Sequence, residues 1–128
     1  MNSKDYIELA KVTETKDYNP PAKRVDEKTA RLLHGLMGVA SEAGELLSPL
    51  KAHIFYGREL DKVHLKEEMG DIFWFLAIAC NALDLDFEDV WQANIAKLKA
   101  RYGEKFSEHC ANNRNLKKER KVLEKKKK

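Results

Sequence analysis

Apolar residues recur at three- and four-residue intervals along nearly the whole chain, and no stretch alternates as a half-buried strand does. The pattern predicts helices throughout. A first short helix covers Lys4 to Thr13, where Ile7, Leu9, Ala10 and Val12 give a partial apolar face. In the following TKDYNPPAKRVD stretch, Asn19-Pro20-Pro21 excludes a helix and predicts a loop. A second helix starts after Asp26, a good N-cap, and carries Leu32, Leu33, Leu36, Val39, Ala43 and Leu46 on its apolar positions. Pro49 interrupts it. Its ring would clash with the Glu45 carbonyl, so the helix kinks or stops here; equally, Ser48 can cap a separate short helix that has Pro49 at its first position.

A third helix, Lys62 to about Leu83, opens on Asp61 and becomes apolar on nearly all sides through Ile72, Phe73, Trp74, Phe75, Leu76, Ile78 and Ala79. Such a helix is expected to be surrounded by others. Asp86 caps a fourth, in which Phe87, Val90, Trp91, Ile95 and Leu98 form a core stripe and Gly103 marks the end. Residues 107–128 are polar, with Leu116 and Leu123 as the large anchors of a marginal helix. The expectation is an all-α bundle of four to five helices: one domain over 1–106, then a basic tail over 107–128 that is helical or disordered. At 128 residues, such a fold can complete its core by pairing with another subunit.

Charge sharpens this picture. The net value is +3, but Lys117 to Lys128 holds eight Lys/Arg against two Glu; that tail contributes +6 and leaves about −3 on the rest. The chain is a mildly acidic domain with a basic end, and the Lys125–Lys128 run reads as a solvated terminus. Specific nucleic-acid binding would need basic groups spread over a folded face. The longest apolar run, Ile72 to Cys80, is about half a bilayer span. The N-terminal residues lack a signal-peptide pattern, and Cys80 and Cys110 make no disulfide framework, so a cytoplasmic setting is expected.

Two acidic pairs carry the chemistry. Residues three apart on a helix share a face, so Glu42 and Glu45 form one carboxylate pair, and Glu68 and Asp71 another on the next long helix. If the helices are antiparallel neighbours, four carboxylates surround one pocket and require a cation between them. Hard divalent ions with oxygen ligands, Mg²⁺ above all, meet that requirement. Gly44 and Gly70 lie inside the pairs, where glycine costs about 1 kcal/mol relative to alanine; the close approach of a metal, ligand or helix would explain them. A diiron site would call for Glu-x-x-His, and none of His34, His53 and His64 stands three after a glutamate. On the fourth helix Asn94, Lys97 and Arg101 form a stripe suited to metal-bound phosphates, with Arg101 as bidentate clamp. His34, eight residues before Glu42, is either a structural histidine or a group that positions a base or water. Trp74 and Trp91 occupy packing positions.

These segments, LLHGLMGVASEAGELL, LKEEMGDIFWFLA and NIAKLKARYGEKFS, together resemble the MazG-like branch of the all-α NTP pyrophosphohydrolases, over about Leu32 to Phe106. NRNLKKERKVLE looks like the tail of short, phage-type members. The resemblance implies Mg²⁺-dependent cleavage of (d)NTP to (d)NMP and pyrophosphate, with Mn²⁺ able to substitute, in a homodimer or homotetramer. It implies Glu42, Glu45, Glu68 and Asp71 as metal ligands, Glu45 or Glu42 acting on the attacking water, and Asn94, Lys97, Arg101, Lys51 and Tyr102 on triphosphate or sugar. Some phage-type members act on dGTP, which suggests guanine nucleotides. The alternative is a non-catalytic helical module that binds protein or nucleic acid through its basic tail.

Overall fold

The computed structural model describes residues 1–124, and the Lys125–Lys128 run expected to be a solvated end lies outside them. Among the described residues the fold is all helical: α1 (Ser3–Thr13), α2 (Asn19–Ala22), α3 (Glu27–Glu45), α4 (Leu47–Tyr56), α5 (Lys62–Ala82), α6 (Phe87–Tyr102), α7 (Glu108–Asn112) and α8 (Leu116–Leu123). None of these helices is long and apolar enough to cross a membrane.

Side chains that compete for orphan amides set most of the starts. Asn2 and Asp5 form a reciprocal capping box on α1. Asp26 accepts from the Thr29 amide at 2.7 Å, Asp61 from those of Val63 and His64, and Asp86 from that of Glu88. The loop expected around Asn19 contains one helical turn instead. Pro20 and Pro21 fall in its first turn, where an amide has no intrahelical partner and its absence costs nothing.

The break near Pro49 comes earlier than a Ser48 cap would place it. The chain leaves α3 at Leu46, whose amide still donates to the Glu42 carbonyl at 2.8 Å, and α4 begins at Leu47 without a side-chain cap. Pro49 is then a first-turn residue of α4, and the Glu45 carbonyl that its ring would strike belongs to the preceding helix.

α3 and α5 form the principal packed pair. They run antiparallel. At one end Lys28 pairs with Asp84 and Arg31 donates to Asn81 at 2.7 Å; at the other Glu42 meets Glu68. Two buried glycines, Gly35 and Gly38, bring the backbones close in between: a Cβ on Gly35 would stand 3.0 Å from the Phe75 carbonyl oxygen, and one on Gly38 only 2.2 Å from the Phe75 ring. Gly44 and Gly70 meet no such crowding, since a Cβ on either would enter open space in the single chain.

α8 packs back along α6, and Glu119 rather than Leu116 or Leu123 is its buried residue. The hydrophobic core of the single chain is thin, with Ala79 and Ala82 its buried apolar side chains among the described residues. α3 covers one face of α5, so Phe73 and Trp74 stay more than half exposed where a surrounded helix was expected. Val90, Trp91 and Ile95 of the expected α6 stripe are exposed as well.

Candidate metal centre

The antiparallel crossing of α3 and α5 decides which acidic groups meet. Glu68 points toward α3 and is 5% exposed, at the end of the pair away from the Asp84 loop. Asp71, three residues on, shares its face. Glu42 approaches from α3, and the carboxylate oxygens of Glu42, Glu68 and Asp71 lie within 4.8 Å of one another. Glu42 is half-buried while Asp71 and Glu45 are exposed, so the group opens on the solvent side. Glu45 is outside the tight triad, but its charge is felt at Glu68.

Burial pushes the Glu68 carboxyl above the usual carboxylate range, and Glu42 and Glu45 push it further; His64 opposes them. Once Glu68 and Glu42 are both ionised neither has a proton to give the other, and Glu68 Oε2 is buried without a hydrogen-bond partner. A buried acceptor surrounded by like charge needs a cation. The donor set is all oxygen, which suits a hard divalent ion.

His64 was not singled out as a site residue from the sequence. It precedes Glu68 by four and Asp71 by seven, which puts all three on one stripe of α5; attention to histidines three after a glutamate passes over this spacing. Its Nε2 lies 3.1 Å from Glu68 Oε1. His34, by contrast, packs edge-on against Phe75 and Trp74, with ring centroids at 5.5 and 6.4 Å, about two turns of α3 before Glu42.

The cationic stripe is placed differently from the expectation. Lys97 Nζ donates to Asn94 Oδ1 at 2.6 Å on α6, and Lys51 is exposed on α4. Arg101 is not a clamp open to phosphate. Its Nε and Nη2 reach both oxygens of Glu119 at 3.0 and 2.6 Å, and Arg114 adds a second guanidinium. The two arginines hold the Glu119 carboxyl down to about 2, and Glu119 raises Arg101 above its ordinary value. Tyr102 lies beside the Arg101 guanidinium, 5.4 Å from ring centroid to carbon, and meets the Phe106 ring at a tilt of 45°. Among the described residues no hydrogen bond or ion pair joins this stripe to the carboxylates of α3 and α5.

The chain matches the family model described as the MazG nucleotide pyrophosphohydrolase domain over residues 32–106, which spans the α3–α5 site and α6. It is also 35% identical over 72 residues to the Gene 37 protein of Mycobacterium phage L5, covering 51% of this chain and 60% of that protein. The similarity thus spans three fifths of the relative's length. No solved structure matches.

Proposed function

The chain belongs to the MazG nucleotide pyrophosphohydrolase family, and on that premise we propose that it hydrolyses nucleoside triphosphates to monophosphate and pyrophosphate. The observation that carries this is Glu68, buried, with one oxygen lacking a partner and two other carboxylates each offering an oxygen within 4.8 Å. Glu42, Glu45, Glu68 and Asp71 would hold Mg²⁺, with Mn²⁺ as substitute. When bound, such an ion withdraws charge from phosphate oxygens and makes a water a better nucleophile.

The protein's own groups divide the remaining work. Glu68 and Glu42 form the inner wall of the site, and Asp71 its rim. Glu45, exposed beside them, would orient the attacking water and take its proton. Asn94 and Lys97 serve triphosphate from α6 of a neighbouring subunit, Tyr102 and Lys51 contact sugar or phosphate, and Arg101 anchors α8. His34 keeps the Trp74 and Phe75 rings in register. Two features favour subunit sharing in a dimer or dimer of dimers. Large apolar residues of α3 and α5 are exposed in the single chain, and among the described residues no hydrogen bond or ion pair joins the α6 stripe to the carboxylates. Guanine nucleotides are the favoured substrates by analogy with phage-type members that act on dGTP.

The test is pyrophosphate release with Mg²⁺ across the four NTPs and four dNTPs. At least one should turn over, with a loss of about a hundredfold or more in Glu45→Gln and Asp71→Asn. If no nucleotide exceeds the Glu45→Gln control, the proposed activity is wrong.

A further inference from the structure

Beside the carboxylate triad lies a second group of donors, two of which an all-oxygen Mg²⁺ site leaves unused. His64, Glu67 and Glu68 each offer a ligand atom within 4.8 Å of the others. We propose that His64, Glu67 and Glu68 form a second divalent-cation site, one with a nitrogen donor, that shares Glu68 with the Glu42/Glu68/Asp71 group. It rests on the reading of those carboxylates as a metal centre.

The geometry at His64 points to a cation rather than a hydrogen bond. Nε2 is 3.1 Å from Glu68 Oε1, yet it is buried and makes no hydrogen bond there, because the two groups are not aligned as donor and acceptor. Two ligand atoms about 2.1 Å from one ion, at right angles, stand about 3.0 Å apart. The imidazole and carboxylate therefore have the separation of two ligands on a common ion. The Glu68 side chain is more than nine-tenths buried and its Oε2 has no partner, so the protein alone does not satisfy this carboxylate. Glu67 is exposed and His64 partly so, which leaves the solvent side open for entry.

The donor set fixes the preference. Imidazole binds Mg²⁺ poorly and later divalent ions well, so the second site selects Mn²⁺, Co²⁺ or Zn²⁺ against a Mg²⁺ background. Glu68 would then serve both ions, one through each oxygen, and the second ion would fix its orientation toward the first.

The experiment is Mn²⁺ binding to the full chain in excess Mg²⁺, with stoichiometry from free-Mn²⁺ electron spin resonance and ligand identity from ¹⁴N spin-echo modulation. Wild type should show ¹⁴N coupling, and His64→Ala should lose both the coupling and one equivalent of Mn²⁺. Glu67→Gln, at an exposed position, should fold normally and bind that equivalent at least tenfold more weakly. Without Mg²⁺, His64→Ala should keep an Mn²⁺ ion that Asp71→Asn loses. Absence of ¹⁴N coupling in wild type, or its persistence in His64→Ala, overturns the second site while leaving the first standing. Failure of wild type to bind any Mn²⁺ or Mg²⁺ overturns both.

Discussion

Ionising a carboxyl that water scarcely reaches is unfavourable, and Glu68 must do it next to Glu42 and within the field of Glu45. Its folded value lies above the ordinary 4.5. The stability this group contributes is therefore present below 4.5 and is lost as pH rises through the raised value. Replacing the charge with an isosteric amide removes the penalty. Glu68→Gln should raise the melting temperature of the metal-free protein at pH 8 and abolish the upward shift that Mg²⁺ gives the wild type; a Mg²⁺ shift of wild-type size in the variant would remove Glu68 from the metal centre. Gly38 makes an opposite case, where the constraint is volume. Its missing side chain is where the Phe75 ring sits, so Gly38→Ala forces the ring or the helix away. Overpacking of this kind costs about 1–3 kcal/mol, and alanine's better helix propensity recovers at most about 1 of it. Urea unfolding should show a lower midpoint with little change in slope.

At the scale of the helix, the starts were readable because Asp26, Asp61 and Asp86 sit immediately before apolar periodicity and their side chains have one good use, the orphan amides. Glu42, Glu68 and Asp71 were legible for a related reason: i,i+3 spacing fixes which side of a helix a group faces before any partner is known. What could not be read is where a partner lies far along the chain. Within KKERK, Glu119 looks like one more solvated charge, yet it is the buried anchor of α8, held by Arg101 eighteen residues earlier and by Arg114. The same contact takes Arg101 away from the phosphate role that its place in the stripe suggested. Because Glu119 titrates at about 2 when folded against 4.5 when free, its stabilisation is full above 4.5 and lost as pH falls toward 2. Amide exchange in α8 should therefore accelerate on acidification through that window, ahead of exchange in α3 and α5. Glu119→Gln should show fast α8 exchange already at pH 7. Slow exchange in that variant would mean that apolar contact alone docks the helix.

For the molecule as a whole, the helical period predicted more buried surface than one chain contains. Phe73, Trp74, Leu36 and Met37 sit on the paired helices that hold the carboxylates, and each is about half exposed or more. In the proposed dimer, exposed apolar residues of this kind would be where the second subunit docks. The α6 stripe bears on the same proposal from chemistry: among the described residues no hydrogen bond joins Asn94 or Lys97 to the carboxylates, and a neighbour would supply that contact. Sedimentation of the wild type should give a mass of two or four chains. Phe73→Glu sets a charge in the middle of the apolar surface and should shift the protein toward monomer. If the site is shared, pyrophosphohydrolase activity should fall in parallel and recover as protein concentration rises. A monomeric Phe73→Glu variant with full activity would show instead that one chain contains everything the reaction needs, and would move the phosphate contacts from α6 of a neighbour to groups near the α3–α5 carboxylates.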